Sequence, residues 1–198
     1  MPTRLKPLVI ALWLLVALAG AAVLWLRVIE PRLNASVGDT LGQGDYELVT
    51  TDGQPFTADT LKGTPSAVFF GFTHCPDVCP TTMGDAMAWQ EAMAAEGEEL
   101  RVFLITVDPE RDTPDVMRDY VSYTPGVIGV TGSPDQVAAA IDAFRIYARK
   151  VPTEGDDYTM DHSALTLLFD EDGRLFEPIG YGEGIERATD KLRRLFAS

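Results

Sequence analysis

The chain has 198 residues, 46% of them hydrophobic, with 30 acidic against 16 basic side chains, a formal charge of −14 and a pI near 4.4. That balance argues against a nucleic-acid partner, whose phosphates ask for a basic surface, and suits cations, a basic protein face or plain solvation. The length fits one tail plus one domain, and two cysteines at short range make no disulfide framework.

Residues 8–26 (LVIALWLLVALAGAAVLWL) contain no charge. As a helix they span about 28 Å, close to the hydrocarbon thickness of a bilayer. Trp25 lies where an interfacial anchor is expected, and Arg4 and Lys6 ahead of the run keep the N-terminus cytoplasmic. Ala17-Leu18-Ala19 resembles a signal-peptide cleavage site, but the apolar run continues to Leu26, which favours an uncleaved anchor over a cleaved leader. The few residues before the run leave no room for a mitochondrial transit peptide. The expected setting is therefore a bacterial inner membrane, crossed once, with the C-terminal domain in the periplasm. The expected organisation is a cytoplasmic N-terminus over 1–7, a transmembrane anchor over 8–26, a linker over 27–35 and one folded domain over 36–198. Beyond residue 32 the chain carries 12 basic and 29 acidic side chains, a net −17.

Within the domain, YELVTTDGQPFTA predicts a hairpin turned at Asp52-Gly53. PSAVFFGFT is a continuous apolar run, typical of a strand buried on both faces. Residues 80–95 are rich in helix-tolerant Ala, Met, Gln and Glu. ELRVFLITVD reads as a second buried strand. Thr113-Pro114 supplies an N-cap and first-turn proline for a helix to about Tyr123, GVIGVTG a third strand, and Ser133-Pro134 the start of a helix over about 134–148. The stretch Lys150 to Asp161 reads as a polar loop. SALTLLFD and RLFEPIG then form strands joined at Asp172-Gly173, and a helix over about 185–196 closes the chain. Alternating strands and helices give an α/β domain with a mixed central sheet flanked by helices.

Cys75 and Cys79 sit where the first buried strand gives way to a helix, at the i, i+4 spacing that shares one helical face. A helix N-terminus offers free N–H groups and a positive dipole end, which lowers a thiol pKa. Pro76 and Pro80 stiffen the loop. Three residues separate the cysteines, one more than in the familiar C-x-x-C dithiol, so a disulfide and a metal held between two thiolates both remain open. A metal needs a further donor. The chain has two histidines; His74 adjoins Cys75 and should point away from it, whereas His162 precedes a buried strand, near a sheet end. Two sulfurs and one imidazole suit copper best, Cu(I) above all, with zinc the rival. Met83, Met160, Asp77 and Asp161 are nearby candidates better read as gap-filling or supporting groups.

The segments GFTHCPDVCPTTM, TVDPERDTPDVMRDY, GVIGVTGSPDQV and DYTMDHSALTLLFD, in this order, resemble the landmark segments of the Sco/SenC family. That resemblance implies a thioredoxin-like fold behind an N-terminal transmembrane helix. It also implies copper, as Cu(I) or Cu(II), bound by Cys75, Cys79 and His162. The implied function is a metallochaperone that delivers copper to the dinuclear copper centre of cytochrome c oxidase during assembly. Its partners would be the oxidase's copper-bearing subunit, a periplasmic copper donor and a thiol reductant. No turnover is required of such a carrier. The alternative is a periplasmic thiol–disulfide reductase using Cys75 and Cys79 as a redox-active pair; a thiol peroxidase fits less well, because Phe72 and Pro76 stand where that family has threonine, three residues before its reactive cysteine. The loop Asp108 to Pro114 matches the family's DP-x-RDTP segment, and a strand end running into a capped helix accounts for it.

Overall fold

The structure is a computed structural model and describes residues 5–25, 37–155 and 157–198. It divides into two units, residues 1–36 and 37–198. In the first, helix α1 covers Leu5–Leu24. Its described side chains, from Val9 on, are exposed and uncharged. Among the described residues no helix is long and apolar enough to cross a membrane, and the expected transmembrane helix over 8–26 is not met there. The linker expected over 27–35 lies outside the described residues.

The second unit opens with a single helical turn α2 (Val37–Thr40) and the hairpin β1 (Leu48–Thr50) and β2 (Pro55–Phe56). Gly53 turns it at φ 77°, a conformation that costs glycine nothing. Then follow β3 (Ser66–Gly71), α3 (Val78–Ala95), β4 (Arg101–Thr106), α4 (Pro114–Val121), β5 (Val127–Thr131), α5 (Pro134–Ala143), β6 (Ala148–Pro152), β7 (Tyr158–His162), β8 (Leu165–Phe169), β9 (Leu175–Gly180) and α6 (Ile185–Phe196). Among the described residues, seven strands form one sheet in the order β2-β1-β5-β4-β3-β8-β9. β3, β4 and β5 run parallel, while β1, β8 and β9 pair antiparallel. The sheet is therefore mixed.

Side-chain alternation explains why β3 and β4 are apolar throughout. Val68, Phe70, Phe103 and Ile105 enter one core with Val137, Ala140 and Phe144 from α5 and the residue after it. Ala67, Phe69, Val102 and Leu104 enter another, with Met83, Trp89 and Met93 of α3 and Leu192 and Leu195 of α6. Period-two alternation thus buries both faces of the central strands under helices. Thr113 and Ser133 cap α4 and α5 as expected, accepting from Val116 N and Gln136 N, each ahead of a first-turn proline.

Two expectations fail between residues 144 and 161. The helix expected to reach 148 stops at Ala143. Phe144 is buried among Tyr46, Phe70 and Phe169, with ring centroids 5.2–5.8 Å away, and Arg145 then takes a left-handed φ of 52°. The expected polar loop is instead a two-stranded antiparallel sheet, β6 with β7, pairing Ala148 with His162 and Pro152 with Tyr158. Neither strand has a fully buried residue, so neither shows the in–out hydrophobic pattern by which half-buried strands are recognised.

Candidate metal centre

Cys75 lies in the loop after β3, held by its N–H donating to Phe72 O at 3.1 Å. It stands outside α3, so the shared helical face expected for the pair does not form; the loop brings the two sulfurs together instead. Cys79 is the second residue of α3 and 1% exposed. Its backbone N–H, one of the unpaired donors of a helix start, donates to Cys75 Sγ at 3.4 Å. Pro80 needs no partner there because it has no N–H.

Gly71 makes room for this arrangement. A Cβ at that position would lie 2.6 Å from Cys79 Sγ and 3.0 Å from Leu104 Cδ1. Gly71→Ala is expected to displace the sulfur and to cost about 1–3 kcal/mol through overpacking. Thermal unfolding and titration of thiol accessibility check this; an unchanged midpoint with unchanged Cys79 reactivity would contradict it.

His162 closes the group from the end of β7. Its Nε2 lies 3.9 Å from Cys79 Sγ, and the ring stands edge-on to Phe72 at 5.7 Å with an interplanar angle of 89°. Nδ1 is 3.0 Å from Ser163 O. A carbonyl only accepts, so Nδ1 is the protonated nitrogen, and the Nε2 lone pair faces the sulfurs. The donor atoms of Cys75, Cys79 and His162 all lie within 4.8 Å of one another. Metal–ligand bonds of about 2.0–2.3 Å place trigonal donors roughly 3.5–4 Å apart, so a small closure seats one soft ion.

Burial pushes the Cys79 thiol up, against the backbone hydrogen bond from Phe72, and the neighbouring Cys75 sulfur adds to the rise. This corrects the lowered thiol pKa expected from the helix start: for Cys79, desolvation outweighs the dipole. The cysteines are free thiols. Among the described residues no carboxylate joins the group; Asp77 and Asp161 are exposed. His74 is exposed too and bonds to Thr73 Oγ1, as its position beside Cys75 implied. Met83 is buried in the core beneath α3, while Met160, like Cys75, lies partly buried at the edge of the other.

The residues that hold the site were not assigned from sequence. Asp112, fully buried, accepts from Thr73 N at 3.1 Å, from Thr73 Oγ1 at 2.6 Å and from Thr106 Oγ1 at 2.6 Å, which fixes the cysteine loop. Burial raises its carboxyl above the ordinary range, while the threonine donors pull it back. Asp108, also fully buried, accepts from Tyr158 Oη at 2.8 Å on β7 and pairs with Arg111 Nε. Burial, and then the bond to Asp108, push the Tyr158 phenol up to about 12, so it stays a donor at neutral pH. The signal was present, since the DPERDTP run carries all three charged groups, but nothing local in it reports contacts 39 to 50 residues away.

Comparison with known proteins agrees with this geometry. The SCO1/SenC family profile matches residues 35–197. The chain belongs to the SCO1/SenC family. An SCO2-like protein of Rickettsia felis is 38% identical over 134 residues, 66% of this chain and 65% of that protein. Yeast SCO2 is 33% identical over 83% of this chain and 56% of its own length. The chain thus spans 56–65% of these SCO relatives. A copper-bound structure of Bradyrhizobium japonicum ScoI is 42% identical, covers 78% of this chain and 99% of that one, and has a TM-score of 0.71. Copper-bound yeast Sco1 is 32% identical over 80% of this chain and 90% of that one, with a TM-score of 0.74. The SCO fold is thioredoxin-like α/β with a mixed central sheet, as the sequence resemblance implied. The cysteine–cysteine–histidine group fits a copper ion, in keeping with the copper bound in those two structures.

Proposed function

We propose that this chain is a copper metallochaperone that hands copper to the dinuclear copper centre of cytochrome c oxidase during assembly. The observation that carries the reading is the convergence of two sulfurs and one imidazole, 83 residues apart in sequence, within 4.8 Å. Soft thiolates select Cu(I), and the imidazole completes a set that also accepts Cu(II). Cys75 is half-buried, so an acceptor's ligands can approach the ion from that side and take it by exchange. Residues 8–26 would act as a single-pass anchor in a bacterial inner membrane, residues 27–35 as a linker, and residues 36–198 as the periplasmic copper domain. The acidic surface suits a basic face on the oxidase's copper-bearing subunit. Only the dithiol form can bind, so a reductant is needed in an oxidising compartment.

A second reading, a thiol–disulfide reductase acting on the oxidase's copper-site cysteines, is favoured by one feature. The more exposed Cys75 is positioned to attack, and the buried Cys79 to resolve. His162→Ala separates the two readings. For the carrier, Cu(II) affinity should fall by about a hundredfold or more while the dithiol still reduces a disulfide substrate at the parental rate. Full Cu(II) affinity in the variant, with reduction impaired, would discard the carrier reading.

A further inference from the structure

The loop from Asp108 to Asp112 touches both segments that carry the metal donors, and the contacts form an unbroken polar path. Thr73, two residues before Cys75, donates to Asp112 through N and Oγ1 at 3.1 and 2.6 Å. Thr106 Oγ1 donates to the same carboxylate at 2.6 Å and accepts from Asp108 N at 2.9 Å. Asp108 then receives the Tyr158 hydroxyl at 2.8 Å. On the hairpin side the contacts multiply. Arg111 pairs with Asp108, donates to Tyr158 O at 2.9 Å, reaches Asp157 Oδ1 at 3.3 Å and stacks over the Tyr158 ring at 3.8 Å. Glu110 pairs with Lys150 of β6 at 2.6 Å.

β6 and β7 share no ladder with the main sheet among the described residues, so strand pairing does not fix His162 against the cysteines. Ser163 N donating to Tyr147 O at 3.0 Å closes the end of the hairpin next to His162; the far end, at Tyr158, is held by the Asp108–Arg111 pair. We propose that Asp108 and Arg111 are positioning residues for copper: they clasp the hairpin at Tyr158 and so keep His162 Nε2 within 3.9 Å of Cys79 Sγ, beside a cysteine loop that Asp112, in the same loop, holds still. Arg111 suits the role because its planar fork serves a carboxylate, a carbonyl and a ring at once, which a lysine cannot do. Groups that orient a metal ligand in this way are commonly worth ten- to hundredfold in metal affinity.

The inference rests on the copper reading, and its test keeps the two apart. In the full chain without metal, Arg111→Ala should speed amide exchange over residues 158–162 and leave that of β3 and β4 unchanged. With metal, Cu(II) affinity should fall about ten- to hundredfold, while Cu(I), which two thiolates hold unaided, changes by less than about threefold. Tyr158→Phe, which keeps the ring stack and the carbonyl contact, should give a smaller shift in the same direction and covers the case in which Arg111→Ala does not fold. Unchanged exchange over 158–162 in both variants overturns the clasp, as does an equal loss of Cu(I) and Cu(II). A parent chain that takes up no copper would defeat the proposed function alone, because exchange in the metal-free protein still reads the clasp.

Discussion

Cys79→Ser is expected to remove copper binding almost entirely, lowering Cu(I) affinity by about a thousandfold or more, or ~4 kcal/mol. Serine is close in size to cysteine, so the start of α3 and the space above Gly71 remain filled. What changes is the donor. A serine hydroxyl is hard, and in a pocket where burial already pushes a thiol up it does not ionise. One sulfur and one nitrogen then remain, a weaker pair for Cu(I) than two thiolates. Cys75→Ser should be similar for Cu(I), though its half-buried position admits water as a substitute ligand. Competition against a Cu(I) chelator at fixed thiol reduction measures both. Retention of affinity within about tenfold in Cys79→Ser would mean that the buried sulfur is not a ligand.

Asp112→Ala should have the largest effect on stability, about 2–4 kcal/mol, because it leaves the part-buried Thr73 N–H and the buried Thr106 hydroxyl facing no acceptor. For a domain of this size that lowers the melting temperature by roughly 10 °C. Asp112→Asn should be milder. Its amide oxygen can take the Thr73 N–H and Thr106 hydroxyl bonds, while its NH₂ donates to Thr73 Oγ1, whose proton turns to His74 Nδ1 at 3.1 Å. The pH dependence follows from the raised carboxyl. A carboxyl whose folded pKa exceeds its unfolded value of about 3.9 contributes stability that is complete below that value. The contribution is lost as pH rises through the folded pKa. The parent's advantage over Asp112→Asn should therefore be widest in acid and narrow above the ordinary carboxyl range. Paired melting curves across pH check the sign, and an advantage that widens with rising pH would reverse the assignment.

Much of this molecule is legible in its residues because the relevant forces are local. The central strands announce themselves as unbroken apolar runs, since both their faces are covered. Thr113-Pro114 and Ser133-Pro134 state where helices begin, because capping is settled within four residues. Cys75, Cys79 and His162 could be singled out by donor chemistry and family resemblance before any geometry was known. The hairpin over 148–162 was not legible, because its strands have no fully buried residue and are held largely by polar contacts to a distant loop, with only Ala148 and Met160 packed on the core. The early end of α5 was hidden for a related reason: Phe144 is drawn into an aromatic cluster assembled from residues far apart in sequence. The acidic loop itself reads as a simple strand-to-helix connection, since its charges look solvated until the fold buries Asp108 and Asp112 completely.

The separateness of the β6–β7 ribbon has a practical consequence for how cargo is surrendered. The sulfurs are built into the cooperative body of the protein, whereas the imidazole arrives on an outlying piece secured by a handful of polar contacts and by the partly buried Ala148 and Met160. Such a piece can lift with only sub-global loss of structure. Resistance to heat and speed of unloading are then governed by different parts of the chain, and a variant engineered for robustness in its sheet need not become a sluggish donor.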